Sequence, residues 1–226
     1  MLGYVDPFYW IVILFSMALG GITQAYIRST YSKWSKVPSN LGKTGADMAR
    51  RMLNENGASA CSIGRIAGTL TDNYNPSENC LHLSDDNYSG GSVASVAVAC
   101  HEAGHAVQTA KGFAFSQIRT ALVPVVNFAQ STWIIVFFAG MMMRLAGLIN
   151  LAIILFACSV VFQIVTLPVE IDASRRAIKF LDSTGSAIDK QGAKQVLTAA
   201  ALTYVAAALV SIANLLYLLA RSSNRR

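Results

Sequence analysis

Charge is what this sequence has least of: Asp, Glu, Lys and Arg make up 13% of its 226 residues, against 54% hydrophobic. That balance excludes an ordinary soluble domain. Residues 7–27, 120–143, 145–169 and 195–220 contain no Lys, Arg, Asp, Glu or His at all. As a helix, each is long enough to cross a hydrocarbon core of ~30 Å. The basic start of a cleaved signal peptide is also missing, since Asp6 is the only charge before the first run; the reading is an uncleaved anchor. The four cysteines have no C-x-x-C spacing, and Cys158 lies inside an apolar run, so neither a disulfide framework nor a zinc ribbon is expected. No internal repeat and no patch of interleaved aromatic and basic residues is present, which removes nucleic acid as a partner. The net charge of +6 is explained by basic loops beside anionic lipid.

What is there reads as a mainly α integral membrane protein of about four transmembrane helices. A small α+β lobe in water carries a β-hairpin and an HExxH helix. The expected parts are an anchor (1–28), the lobe (29–119), a transmembrane hairpin (120–169), a segment carrying a third metal ligand (170–194), and a last span with a basic tail (195–226). Fourteen of the eighteen Lys and Arg residues fall in 28–119 and 170–194. The positive-inside rule therefore puts both segments in the cytoplasm and the chain in the plasma (inner) membrane as a multi-pass protein. Arg144, Arg221, Arg225 and Arg226 would then lie outside.

Within the lobe, Thr44 and Asp47 form a capping pair ahead of Ala46, Ala49, Met52 and Leu53 at helical spacing, with Gly57 as the stop. Residues 69–74 and 79–84 alternate around the turn Asn75-Pro76-Ser77-Glu78 and read as a hairpin. The second strand, Cys80, Leu81, His82, Leu83 and Ser84, is expected to offer an edge on which an extended peptide pairs, or to be a half-buried structural strand. Ser92 then caps a helix running to Ala110, with Gly112 ending it.

That helix contains His101-Glu102-Ala103-Gly104-His105. Residues four apart share a helix face, so both imidazoles can reach one metal ion. Glu102, rotated by roughly 100°, can take a proton from a water held there. A metal used in catalysis needs a third protein ligand and an open position. His82 is the only other histidine, and no HExxHxxGxxH continuation exists. The acidic candidates are Glu170 and Asp172, just beyond the third run, where Pro168 is expected to open a helix. Two residues apart on a helix, they point roughly 200° from each other, so only one faces the metal. The other is expected to pair with Arg175 or Arg176.

GKTGADMARRMLNENG, GTLTDNYNPSENCLHLS, AVACHEAGHAVQ, FQIVTLPVEIDASRRA and VLTAAALTYVAAAL, in this order from about Pro38 to Leu209, together resemble the neutral zinc metallopeptidases, multi-spanning bacterial membrane proteins. More distantly the layout is similar to HtpX-type membrane gluzincins, in which a Glu on a later helix completes the zinc site. The resemblance implies His101, His105 and Glu170 as ligands of one Zn2+ per chain and Glu102 as catalytic base. HtpX-like proteins carry an Asp four residues after that Glu; here the position is Ser174, and Asp172 is the alternative ligand or a support for a ligating His. Arg175, Arg176 and Tyr204 are candidate oxyanion stabilisers. The expected activity is zinc-dependent endopeptidase cleavage of peptides or membrane proteins at the cytoplasmic face of the lipid bilayer. The rival is a noncatalytic zinc-containing membrane scaffold or quality-control adaptor. Oligomeric state is not encoded in any visible pattern.

Overall fold

The computed structural model describes residues 7–184 and 186–223; Asp6, Arg225 and Arg226, counted above as topological charges, lie outside them. Four long helices dominate: α1 (Pro7–Trp34), α5 (Ala114–Met142), α6 (Ala146–Ser183) and α7 (Ala187–Ser223). All four are long and apolar enough to cross a membrane. Phe8, Leu14, Met17, Ile22, Ile135 and Leu216 stand exposed on them, an arrangement that is stable against lipid and not against water. Between α1 and α5 come α2 (Gly45–Glu55), β1 (Ser62–Ile66), β2 (Asn73–Asn75), β3 (Cys80–Ser84), the single-turn α3 (Asp85–Tyr88) and α4 (Val93–Ala110).

The chain forms two compact units. One consists of the described parts of Met1–Gln24, Ile118–Leu167 and Thr203–Arg226. Inside it α5 and α6 form a tight hairpin: Arg144 adopts a left-handed backbone (φ 54°) and the Leu145 amide donates to Gly140 O at 2.9 Å. Gly140 is what allows that approach, because a Cβ there would lie 2.9 Å from the Ile149 amide nitrogen.

The other unit comprises Ala25–Gln117 and the described parts of Pro168–Leu202. Its core joins Met48, Met52 and Leu53 of α2, Leu81 and Leu83 of β3, Val93, Val96 and Cys100 of α4, Leu181 of α6 and Leu197 of α7. Helix α7 is admitted by Gly192, whose missing Cβ would collide with Val93 and Trp34. Beside it Trp34 Nε1 donates to Gln195 Oε1 at 2.9 Å. The two small helices begin where their caps dictate. Thr44 forms a full capping box with Asp47, and Ser92 Oγ accepts from the Ser95 amide at 3.0 Å.

Two expectations need correction. Pro168 does not open a helix; it sits inside α6, which runs unbroken from Ala146 to Ser183. A proline is tolerated inside a long membrane helix where neighbouring groups satisfy the freed backbone. Second, Cys80, Leu81, His82, Leu83 and Ser84 do not form an edge. The sheet order is β1-β3-β2, with β1 parallel to β3 from Ser62↔Cys80 to Ile66↔Ser84. On its other side β3 pairs antiparallel with β2, from Asn75↔Cys80 to Asn73↔His82. β3 is therefore central, its backbone groups already committed, and the edges are β1 and β2. Strand β1 escapes sequence reading because its partner lies well along the chain and its five residues include Gly64. The alternation within β3 holds from Cys80 to Leu83, with Leu81 and Leu83 fully buried and Cys80 and His82 half-exposed, and fails at Ser84, which is buried.

The α2 cap makes an acid-side prediction. Hydrogen bonds from the Thr44 backbone and hydroxyl, with Lys43 nearby, hold the Asp47 carboxyl below its ordinary value. The cap's contribution is then complete above the unfolded carboxylate pKa and is lost as pH falls through the lowered folded value. Thr44→Ala should cost about 1 kcal/mol at neutral pH. Thermal unfolding in mild detergent should show that difference shrinking toward acid pH.

Candidate metal centre

Helix α4 is rich in Ala, so its neighbours come close, and it is buried on nearly every side. Eight of its residues between Val93 and Ala106 are fully or almost fully buried alanines, valines or Cys100. Where α4 meets α6 there is no room for a side chain: a Cβ on Gly104 would lie 2.7 Å from Ala173 O and 3.1 Å from Ala173 Cα. The glycine between Glu102 and His105 thus sets the spacing between the two helices.

At that crossing His101 and His105 stack edge to face with ring centroids 4.8 Å apart, and α6 brings Glu170 to both. Glu170 Oε2 lies 3.2 Å from His101 Nε2 and 3.5 Å from His105 Nε2. One ligand atom from each of the three residues falls within 4.8 Å of the others. Among the described residues this is the one such grouping of three or more His, Cys, Asp or Glu. His101 is 8% exposed, His105 9% and Glu170 2%.

The surrounding hydrogen bonds test whether a metal fits. Gln108, fully buried, donates through Nε2 to Val169 O at 2.7 Å and to Asp172 Oδ2 at 2.9 Å. Both of those partners only accept, so the orientation of the amide is determined. Its Oε1 therefore faces His105 Nδ1 at 3.1 Å, which must be the protonated nitrogen. A neutral His105 then turns an Nε2 lone pair toward a carboxylate oxygen, two acceptors face to face in a buried site. His101 has Ser174 Oγ 3.2 Å from its Nδ1, where the hydroxyl can donate or accept, and turns Nε2 toward Glu170. Either a proton on Nε2 or a metal ion between the two groups resolves the conflict. Two imidazole nitrogens and one carboxylate, each imidazole with a polar side chain behind it, are a donor set that could hold a metal ion.

Glu102 is half-buried and stands outside the ligand triangle. Burial pushes its carboxyl up from the ordinary value, His101 and His105 oppose that, and the charges of Glu170 and Asp72 add to it. Asp72 immediately precedes β2; its carboxylate accepts from the Ser84 amide at 2.8 Å and from Asn87 Nδ2 at 2.8 Å. Tyr74 on β2 donates its hydroxyl to Asn79 Oδ1 at 3.2 Å, and β2 packs against α4. Edge strand β2 thus lies beside the histidine helix.

Of the other sequence candidates, Asp172 does not join the triangle. It holds Gln108 and pairs with Arg176 Nε at 2.6 Å, so it supports His105 from a distance and Arg176 is committed to it. Arg175 is exposed. Tyr204 belongs to the other compact unit. His82 is engaged by Glu78 at 2.9 Å. Gln108 is the residue that motif reading passes over; its signal is an amide three positions after His105 in an otherwise small and apolar helix.

Gln108→Leu and Ser174→Ala should each weaken zinc binding by about 10–100-fold while helix content is retained. Competition against a chromophoric chelator measures the first quantity and circular dichroism the second.

Comparison with known proteins agrees with this centre. Residues 9–223 match the family described as "Putative neutral zinc metallopeptidase". The chain is 42% identical over 203 residues to a Bacillus subtilis (strain 168) protein named "Putative membrane protease YugP", covering 89% of this chain and 90% of that one. No solved structure matches. With the match running through all four long helices and the histidine helix, this chain belongs to the neutral zinc metallopeptidase family.

Proposed function

We propose that the protein is a membrane-embedded zinc-dependent endopeptidase in which His101, His105 and Glu170 hold one zinc ion per chain and Glu102 is the general base. The observation that carries this reading is the convergence, within 4.8 Å, of ligand atoms from His101 and His105 on α4 and Glu170 on α6, with a second carboxylate, Glu102, on the histidine helix. When bound, zinc supplies Lewis-acid chemistry, polarising a carbonyl and acidifying water to a pKa of ~7. The chain's own residues do the rest. Ser174 and Gln108 keep the two Nδ1–H groups occupied so that both Nε2 lone pairs stay aimed inward. Glu102 takes a proton from water and returns it to the leaving amine. Its raised affinity for protons, caused mainly by burial, suits a group that must both accept and release one.

The substrate is a peptide or a membrane protein in extended conformation. The strand available to it is β2, which is an edge and packs against the histidine helix, not β3. The positive-inside distribution of Lys and Arg supports a cytoplasmic active site in the plasma membrane.

A noncatalytic zinc scaffold would have no use for Glu102, and that residue separates the two readings. In Glu102→Gln, zinc content should stay at one equivalent while cleavage of a casein or membrane-protein substrate falls by about 10²–10⁴-fold. Unchanged cleavage would exclude Glu102 as the base; zinc with no cleavage by the wild type would favour the scaffold. In Glu170→Ala the metal itself should be lost on dialysis, whereas Asp172→Ala should retain it with weakened affinity.

A further inference from the structure

We propose that the membrane-spanning unit carries a site for one anionic phospholipid. A cavity of about 600 Å³ opens among α1, α5, α6 and α7, within the size range of small-ligand sites. Every residue lining it belongs to that unit.

The cavity has a direction. Its mouth is at helix ends: Tyr9 in the first turn of α1, Ile149 in the first turn of α6, and Arg221 in the last turn of α7. Its far end is formed by Trp133, Phe156 and Val210. Arg221 lies eleven residues beyond Val210 on one helix, a rise of about 16 Å. That is half of a ~30 Å hydrocarbon core, so the cavity has the depth of one leaflet.

Polarity follows the same axis. At depth the wall is aromatic, with the Trp133 and Phe156 rings 5.0 Å apart and Phe137 6.5 Å from Trp133. At the mouth Tyr9 and Tyr217 lie 5.4 Å apart, at the level where tyrosine is favoured in a bilayer. There Ser222 donates to Asn150 at 2.8 Å, and Arg221 is the one charged residue of the lining. An amphiphile with an apolar tail and an anionic head matches this gradient. The occupant is therefore one acyl chain of a phospholipid, its phosphate at Arg221.

The test is native mass spectrometry of the full chain after detergent exchange and addition of phosphatidylglycerol or phosphatidylcholine. One phosphatidylglycerol per chain should be retained, preferred by about five-fold over phosphatidylcholine, the worth of one cation near an anionic headgroup. Arg221→Gln should abolish the preference. Val210→Trp, which fills the deep end, should lose the retained lipid of both kinds with thermal unfolding unchanged; Ser211→Leu serves the same purpose if the tryptophan does not fold. Equal retention of both lipids by the wild type, undiminished retention in both filled variants, or a retained mass that proves to be a peptide would overturn the proposal.

Discussion

The contact between α4 and α6 at Gly104 is the constraint on which the site depends. The two backbones nearly touch there, because the Cβ of any other residue would overlap Ala173. A side chain at position 104 would force α6 away from α4 and displace Glu170 from the imidazoles and Val169 and Asp172 from Gln108. A ligand set has to be held within ~0.5 Å to be productive. That tolerance is met by packing first and hydrogen bonds second.

The groups behind the histidines are neutral. His101 is backed by a serine hydroxyl and His105 by a glutamine amide. Asp172, the carboxylate on that side of His105, reaches it only through Gln108 and is paired with Arg176. The site already contains Glu170 and Glu102, and the charges of Glu170 and Asp72 add to the proton affinity that burial gives Glu102. A further carboxylate in direct contact with a ligand would raise it more. Amide and hydroxyl partners orient the rings without that electrostatic cost. This gives a physical meaning to the serine at the position where HtpX-like sequences carry an aspartate.

Much of the architecture was legible because the bilayer imposes a coarse code. Runs of about twenty residues without charge have one stable solution in lipid, and all four became long helices. Capping chemistry is equally local, so Thr44 and Ser92 mark their helix starts directly. Strand pairing is not local. The Cys80–Ser84 alternation was visible, but the parallel partner that makes this strand central, Ser62–Ile66, carries no signal linking it to β3. Pro168 was misleading for a related reason: its missing N–H reads as a helix start when tertiary neighbours are unknown.

By itself, the sequence determined the membrane class, the two histidines on one helix face, the carboxylate between them, and the short choice of Glu170 or Asp172. Those are consequences of composition and of the 3.6-residue period, both properties of a contiguous chain. The tertiary structure decided between the two acids, turning Glu170 to the histidines and Asp172 toward Gln108 and Arg176. It also brought in Gln108 and Ser174 as supports and moved the free sheet edge from β3 to β2. These depend on which residues far apart in sequence share a contact, and one absent methyl group at Gly104 governs that contact.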